Sequence, residues 1–146
     1  MSLTEYRKKR RFDVSPEPKG KQRSIRGAKA RLAFVVQKHR ATALHYDFRL
    51  EWDGVMLSWA VPKGPSYDTS VKRLAMQVED HPIEYNKFEG IIPAGEYGGG
   101  TVMIWDRGTW TPETPDVAAA LKKGDLKFSL NGTKLRGTWK RTASRP

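Results

Sequence analysis

The sequence contains no cysteine and no long hydrophobic run. The absence of cysteine excludes disulfide bonds, thiolate zinc sites and cysteine nucleophiles, and it is compatible with a cytosolic protein. No apolar stretch approaches the ~18 residues that a membrane-spanning helix requires, and no hydrophobic segment of the signal-peptide type follows the basic N-terminus. We therefore expect a cytoplasmic protein that makes no membrane contact.

Acidic residues are also scarce relative to basic ones. Lys and Arg together number 27 against 16 Asp and Glu, which gives a net charge of +11. Residues 1–31 hold eleven of these cations and three of the acids, a net charge of +8, so most of the basic excess lies in an N-terminal arm, which we assign to residues 1–30. Such an arm is attracted to polyphosphate and releases counterions when it binds. We expect its partner to be a nucleic acid, in preference to an anionic lipid or to solvent alone.

The remainder, residues 31–146, has the pattern of one folded domain. Hydrophobic residues make up 38% of the chain and include five each of Trp, Tyr and Phe, which excludes a wholly disordered protein. Alternating segments of strand length recur between turns, and they predict the strands Arg31–Lys38, Leu44–Trp52, Val55–Val61, Arg73–His81, Thr101–Trp105, Leu126–Leu130 and Thr133–Trp139. In the fourth of these we expect Leu74, Met76 and Val78 to face the core.

Turn residues organise these strands into a fold. Asp53-Gly54 and Asn131-Gly132 each predict a two-residue hairpin turn. One helix is predicted at Val117–Lys123, because Thr114-Pro115-Asp116 supplies an N-cap and a helix start and Gly124 supplies a stop. The pattern favours an all-β fold, a compact closed β-barrel of about eight strands with one short helix and a basic, irregular N-terminal arm. Periodicity alone does not separate a barrel from a sandwich.

The run from Leu44 to Glu51 carries most of the chemical information. Successive side chains of a strand point to opposite faces. The even positions Leu44, Tyr46, Phe48 and Leu50 form an apolar face, and the odd positions place His45, Asp47, Arg49 and Glu51 in a row on the other face. An imidazole and a carboxylate are metal ligands, and a guanidinium beside them can bind two phosphate oxygens. The row predicts a metal and phosphate site on the outside of the sheet.

A metal site at His39, His45 and Asp47 is the first hypothesis. His45 and Asp47 are two residues apart on one strand, and His39 ends the preceding strand. Two imidazoles and one carboxylate leave coordination positions open, which is typical of a catalytic site, and Mn²⁺, Zn²⁺ or Fe²⁺ would accept these ligands. The alternative is that these are surface histidines that bind nothing.

The roles of the neighbouring polar residues stay open at this point. Arg49 fits a phosphate clamp or an ion pair with Glu51 or Glu79. His81 and Tyr85 each fit a hydrogen bond to a phosphate oxygen or a proton donor to a leaving group, and the sequence does not choose between them. The glycine-rich segment 93–100 lacks the Gly-Lys-Ser/Thr ending of a Walker loop, so we expect a tight turn there.

Several long motifs, in order, resemble one known family. They are FVVQKH (34–39), LHYDFRLE (44–51), SWAVPKGPS (58–66), VEDHPIEY (78–85), the segment 88–110 and KLRGTW (134–139). Together they resemble the 3′-phosphoesterase domain of bacterial DNA ligase D and its stand-alone bacterial and archaeal relatives. The resemblance implies an eight-stranded barrel and a Mn²⁺-dependent hydrolase of non-homologous end joining. It implies removal of a 3′-terminal ribonucleoside and then of the resulting 3′-phosphate. Zn²⁺ or another transition metal is the alternative cofactor.

The resemblance also implies roles for individual residues. It assigns metal binding to His39, His45 and Asp47, and it assigns catalysis and phosphate binding to Arg49, His81 and Tyr85. A supporting shell is implied at Gln37, Lys63, Arg73, Glu79, Asp80, Arg10 and Glu17. The arm departs from the family at Arg11, where the family has an aspartate.

Three functions follow from the sequence, with the end-healing phosphoesterase first. The second is a non-catalytic module that binds or scaffolds DNA ends with the same barrel. The third is a metal-dependent nuclease or phosphatase acting on RNA. The implied partners are primer–template 3′ ends together with ligase, polymerase and Ku-type end-joining proteins, and the implied location is the cytoplasm, in association with the nucleoid.

Overall fold

A computed structural model describes residues 2–20, 31–68 and 70–142. Its elements in chain order are α1 Thr4–Lys8, β1 Leu32–Arg40, β2 Leu44–Trp52, β3 Val55–Val61, β4 Met76–His81, a 3₁₀ helix Ile83–Lys87, β5 Gly90–Ile92, β6 Gly100–Pro112, α2 Val117–Lys123, β7 Asp125–Gly132 and β8 Arg136–Thr142. All of these strands join one antiparallel sheet. None of the helices in the described ranges is long and apolar enough to cross a membrane.

The sheet confirms the predicted mostly-β fold and shows its form. The strand order is β4-β3-β2-β1-β6-β7-β8, with β5 paired to β6. The sheet curls into a half-barrel in which β4 and β8 are the two ends of the order, and the pairings among the described residues do not join them. The predicted closure into a complete barrel is therefore not established.

The hairpin that carries the site formed as predicted. β2 and β3 have the predicted bounds, and Trp52 pairs with Val55 across the two-residue turn. Asp53 and Gly54 both adopt positive φ, 52° and 81°, as this tight turn requires. The turn fixes the register, so the alternation of polar and apolar side chains along β2 is also fixed.

β6 extends well beyond the predicted strand Thr101–Trp105. The strand runs for 13 residues, through Asp106, Arg107 and Gly108. A bulge opposite Val36 and Gln37 shifts its register against β1. Gly108 is needed for close packing, since a Cβ there would lie 2.1 Å from the backbone oxygen of Asn131. Gly108 is therefore a contact point between two strands.

The predicted two-residue turn at Asn131-Gly132 is wrong. Asn131 still pairs, with Arg136, and the four residues between this pair, 132–135, form the turn, the first of them being the last residue of β7. The buried carboxylate of Asp106 accepts hydrogen bonds from the backbone N–H groups of Thr133, Lys134 and Leu135 at 2.8–3.1 Å. This distant acceptor stabilises the wider loop.

The helices are partly as predicted. α2 spans the predicted residues, but its N-cap is Asp116 and not Thr114, because the Asp116 side chain accepts from the Ala119 N–H at 3.0 Å. Gly124 ends α2 with φ 80°. Helix α1 and the 3₁₀ helix were not predicted.

β4 starts at Met76, three residues later than predicted, and the residues expected to face the core are not its buried ones, since Val78 is only half-buried. Leu74 and Met76 are exposed, at 55% and 49%, whereas His81 is 4% exposed. Within the described part of the chain, β4 is an edge strand that pairs with β3 alone. His81, at the end of β4, is covered by the N-terminal arm, because the fully buried Tyr6 ring packs 4.9 Å from the His81 ring.

The sheet has a packed layer on each face. The main core lies on one face and contains Phe34, Val36, Leu50, Leu57, Trp59, Trp110, Phe128 and Leu130. A smaller cluster on the other face contains Tyr6, Tyr85, Phe88, Ile92 and Val102. The polar row of β2 lies outside the main core, as predicted, but Asp47, Arg49 and Glu51 in it are buried and His45 is half-buried. Leu44, expected to be buried with the apolar row, is 42% exposed.

Candidate metal centre and phosphate-binding face

The register of β1 and β2 brings three ligand side chains together. His39 pairs directly with His45, and Asp47 lies two residues further along β2 on the same face. One ligand atom from each of these residues lies within 4.8 Å of the others, a spacing at which the three could hold a metal ion. The cluster predicted from the sequence is therefore present.

The hydrogen bonds of the two rings fit a bound cation. His39 Nε2 lies 2.7 Å from the Gly98 carbonyl and donates to it, so its Nδ1 presents a lone pair toward Asp47 Oδ2 at 3.3 Å. His45 Nε2 lies 3.1 Å from Asp47 Oδ1, and the ring also bonds the backbone of Ala43. A lone pair facing a carboxylate is favourable only when a cation or a proton lies between them. Backbone carbonyls that orient imidazole ligands are typical of metal sites.

Electrostatics keep the carboxylate ionised. Burial opposes the charge of Asp47, but the adjacent His39 and His45 rings and the nearby Arg49 hold the pKa of Asp47 well below its usual range. The hydrogen bond to Asp47 raises the pKa of His45. A deprotonated carboxylate is the state that binds a metal ion.

Arg49 lies beside the cluster as a fixed, buried cation. It is 3% exposed, donates from Nε to Gln37 Oε1 at 2.8 Å and from NH1 to Ser58 Oγ at 2.9 Å, and its NH2 lies 3.7 Å from Asp47. Gln37 in turn donates to the carbonyls of Tyr85 and Phe88 at 2.8 and 3.0 Å. Gln37 therefore links Arg49 to the 3₁₀ helix, and the guanidinium plane is held before any ligand arrives.

The arm contributes a second buried guanidinium. Arg10 donates from Nε to Glu17 at 2.8 Å and from NH1 to Glu79 at 3.2 Å, and its NH2 lies 3.2 Å from His81 Nε2. The Tyr85 hydroxyl donates to the same Glu17 oxygen at 2.7 Å. Arg10 and Glu17 lie 69 and 68 residues away in sequence from Glu79 and Tyr85, and the fold brings them to the face that the sequence assigned them to.

His81 lies between the two guanidinium groups in its neutral form. Its Nδ1 donates to the Glu79 carbonyl at 2.9 Å, so Nε2 is the acceptor for Arg10. Burial, with the charges of Arg49 and Arg10, holds the pKa of His81 well below its ordinary value. Burial likewise raises the pKa of Tyr85, whose proton is engaged with Glu17.

Tyr6 is a neighbour of the site that was not predicted from the sequence. Its ring is fully buried, 4.9 Å from the His81 ring and 4.0 Å from the Arg10 guanidinium carbon, and its hydroxyl donates to the Pro18 carbonyl. It lies in a run of cations that is typical of a solvated tail. The three-residue spacing from Leu3 was the only signal of a buried helical face.

Three predicted supporting residues lie elsewhere. Lys63 is exposed in the turn after β3. Arg73 is exposed and lines a groove with Trp59 and Trp139, which belong to the other face of the sheet. Asp80 is half-buried and bonds the backbone of Ser2, so it holds the arm in place, and burial raises its pKa. The structure does not bring Lys63 or Arg73 into the cluster.

Comparison with known proteins agrees with this arrangement. The sequence model of the family described as the DNA Ligase D 3′-phosphoesterase domain matches residues 37–142 of this chain. The multifunctional non-homologous end joining protein LigD of Pseudomonas aeruginosa is 56% identical over 137 residues, 94% of this chain and 16% of that protein. The relative named as a multifunctional non-homologous end joining DNA repair protein in Mycobacterium tuberculosis is 45% identical over 137 residues, 94% of this chain and 18% of that protein.

The chain spans about a sixth of the length of these curated relatives. The matched range contains the whole ligand cluster, Arg49 and the His81–Tyr85 segment, while the alignments with the relatives extend over 94% of the chain. The family match covers most of the chain, and the motifs that carry it are those that build the polar face. The chain belongs to the DNA ligase D 3′-phosphoesterase domain family.

Proposed function

We propose that this domain heals DNA 3′ ends by hydrolysis of terminal phosphoesters during non-homologous end joining. The observation that carries the proposal is the cluster of two imidazoles and a carboxylate, in which His39 and Asp47 are buried and His45 is half-buried, with ligand atoms within 4.8 Å, directly beside the Arg49 guanidinium. Metal ligands and an anion-binding group at this spacing suit a phosphate group that has one oxygen toward the metal and another toward the guanidinium. Family membership supplies the substrate class.

The proposed cofactor is a divalent cation, with Mn²⁺ first. His39, His45 and Asp47 would hold it, since mixed nitrogen and oxygen ligands suit Mn²⁺, and Zn²⁺ and Fe²⁺ also accept them. When bound, the cation supplies polarisation of a phosphate oxygen. The remaining chemistry belongs to the side chains of the polar face.

Those side chains position and neutralise the phosphate. Arg49 binds phosphate oxygens as a preorganised fork, and Gln37 and Ser58 hold its plane. His81 keeps Arg10 oriented by accepting one of its hydrogen bonds. Because His81 Nε2 already accepts a hydrogen bond and the Tyr85 proton is engaged with Glu17, we assign both rings to positioning.

Two hydrolytic steps are proposed. In the first, a water oxygen bonds to phosphorus, the bond to the 5′ oxygen of a terminal ribonucleoside breaks, and that oxygen takes a proton, which leaves a 3′-phosphate. In the second, another water attacks, the bond to the 3′ oxygen breaks, and a 3′-hydroxyl and inorganic phosphate result. Neither step needs a covalent enzyme intermediate.

The test is turnover of a 5′-labelled primer–template, ending in a 3′-ribonucleotide or a 3′-phosphate, with increasing Mn²⁺. We expect metal-dependent conversion of both ends by the wild-type chain. Asp47→Asn should lose at least about a hundredfold in rate, because a ligand is removed with little change in shape. Asp68→Asn, an exposed carboxylate outside the site, is the matched control.

The outcomes separate the alternatives. Undiminished turnover by Asp47→Asn contradicts the assigned metal site. Conversion of the 3′-phosphate alone confines the activity to the second step. DNA binding without any metal-dependent turnover supports the non-catalytic end-binding module, and a requirement for an all-ribose strand supports an RNA enzyme.

A further inference from the structure

A second set of interactions joins the N-terminal arm to the glycine loop, by which we mean residues 93–100. The Arg11 guanidinium binds both oxygens of Glu96, from Nε at 3.0 Å and from NH2 at 2.6 Å. Next to it, Lys9 Nζ lies 3.4 Å from the Tyr97 hydroxyl and 4.8 Å from the centre of its ring. The arm therefore holds this loop through a bidentate ion pair and a cation–π contact.

The glycine loop is too tight for its residues to move independently. The Glu96 N–H donates to the Pro93 carbonyl at 3.1 Å, and the Gly99 N–H donates to the Glu96 carbonyl at 3.0 Å. A Cβ on Gly99 would lie 2.9 Å from the Pro93 oxygen. Gly98 lies inside the second of these successive turns, which Glu96 begins, so a displacement of Glu96 is transmitted to the Gly98 peptide.

Gly98 is the residue that orients the ligand His39. Its carbonyl accepts the His39 Nε2 hydrogen bond at 2.7 Å, which leaves Nδ1 as the ligand atom. Gly98 also packs on the ring, since a Cβ there would lie 3.5 Å from His39 Cε1. A chain of direct contacts thus runs from Arg11 through Glu96 and Gly98 to His39.

We propose that the Arg11–Glu96 ion pair positions His39 for metal binding, so that docking of the N-terminal arm sets the affinity of the metal centre. Arg11 is a positioning residue, since it acts through the loop and touches neither ligand nor substrate. This inference rests on the proposed metal centre and deepens it. It also gives Arg11 a role of its own, at a position where the family pattern has an acid.

Neutralising Arg11 separates positioning from simple electrostatics. Removing a cation near a cation-binding site strengthens metal binding if Coulomb repulsion is the only effect. Loss of the ion pair frees the loop and weakens binding, because His39 must then be ordered when the metal binds. The two explanations therefore predict changes of opposite sign in the metal affinity of Arg11→Gln.

The experiment is Mn²⁺ titration of the full chain by calorimetry. We expect Arg11→Gln to bind Mn²⁺ about three- to tenfold more weakly than wild type, which is below the effect of a direct outer-shell partner. Lys8→Gln is the matched control, because it removes the same charge from an exposed position on the same arm. It should bind as tightly as wild type or slightly more tightly.

Charge reversal provides the rescue. Arg11→Glu places two carboxylates together and should weaken binding further, and addition of Glu96→Arg should restore affinity to within about twofold of wild type. As a readout without metal, nitrogen NMR should show the single His39 tautomer of the wild type give way to tautomer exchange in Arg11→Gln.

The results that overturn the proposal are distinct from those that overturn the function. Equal or tighter Mn²⁺ binding by Arg11→Gln relative to Lys8→Gln, or failure of the charge swap to restore affinity, refutes the positioning role alone. Absence of Mn²⁺ binding by the wild-type chain refutes both the metal centre and its positioning by Arg11.

Discussion

His81 illustrates at the residue scale how burial decides what an imidazole can do. From the sequence, His81 was either a phosphate ligand or a proton donor. Four side chains face it, namely Tyr6 and Arg10 from the arm, Arg49 from β2 and Tyr85 from the 3₁₀ helix, and its Nδ1 donates to the backbone carbonyl of Glu79 in β4. Two of these are cations, so the protonated ring is disfavoured and the neutral ring accepts from Arg10. Positioning is the role that this charge distribution favours.

The neutral state of His81 has a consequence for stability. In the unfolded chain His81 protonates near pH 6.5, whereas its pKa in the folded chain is well below that value. The unfolded state therefore binds more protons below about pH 6.5. The free energy of unfolding then decreases as the pH is lowered, by up to about 1.4 kcal/mol per pH unit. We expect His81→Gln, although less stable at neutral pH, to lose less stability between pH 7.5 and pH 5.

Urea unfolding in the presence of a metal chelator measures this difference. The chelator removes the contribution of metal binding at His39 and His45, and comparison of the two chains cancels the other titrating groups. An equal pH dependence for wild type and His81→Gln contradicts a neutral His81 in the folded state.

The residues of the site were predictable to different extents. His39, His45 and Asp47 followed from strand alternation and one short connection, and they do cluster. Arg10 and Glu17 were identified through the family motif, because Glu79 and Tyr85 lie 69 and 68 residues away and no periodicity reports such contacts. Tyr6 was missed for the same reason, and Glu96 was missed because a glycine-rich segment gives no indication of what its side chains reach.

At the element scale, two similar turn signals had different outcomes. Asp53-Gly54 formed the predicted two-residue turn, whereas Asn131-Gly132 did not. The difference is Asp106, whose carboxylate accepts three backbone hydrogen bonds from the loop 132–135. Local turn propensity is worth less than three hydrogen bonds to a buried carboxylate, so a residue on β6 decides the shape of the β7–β8 hairpin.

Removal of this acceptor should destabilise the domain. Asp106→Ala leaves three backbone N–H groups without their partner, and we expect the free energy of unfolding to fall by about 2–4 kcal/mol. Denaturant unfolding of Asp106→Ala, with the exposed Asp68→Ala as control, measures it. A decrease of less than about 1 kcal/mol would mean that the loop holds itself without Asp106.

At the scale of the whole molecule, the net charge divides into two parts. Lys9, Arg10 and Arg11 are ion-paired within the domain, so they are not free to release counterions on DNA. Residues 21–29 lie outside the described ranges, and by sequence they add four cations and no acid. The expectation of a DNA-binding arm therefore concerns mainly that segment, whereas residues 3–17 help to build the site.

Salt dependence tests this division. We expect neutralisation of Lys21, Arg23 and Arg26 to glutamine to reduce the slope of log affinity against log salt by about 0.7–0.9 for each DNA phosphate that the arm no longer neutralises. The same change at Lys122, Lys123 and Lys127, three exposed residues of α2 and β7, gives the same net charge and should leave the slope unchanged. Equal slopes in the two triple variants would show that net charge, and not the arm, attracts DNA.

Docking of the arm on the sheet also has a consequence for the order of folding. The contacts that complete the site join residues 68 to 85 positions apart, and they require β4, the 3₁₀ helix and the glycine loop to be in place first. Contacts of such sequence separation form late, after local hairpins such as β2–β3. The N-terminal arm is thus among the last parts of this domain to reach its native position. A partly folded chain would then have a sheet but an incomplete metal centre. The ability to bind metal would appear only at the end of folding.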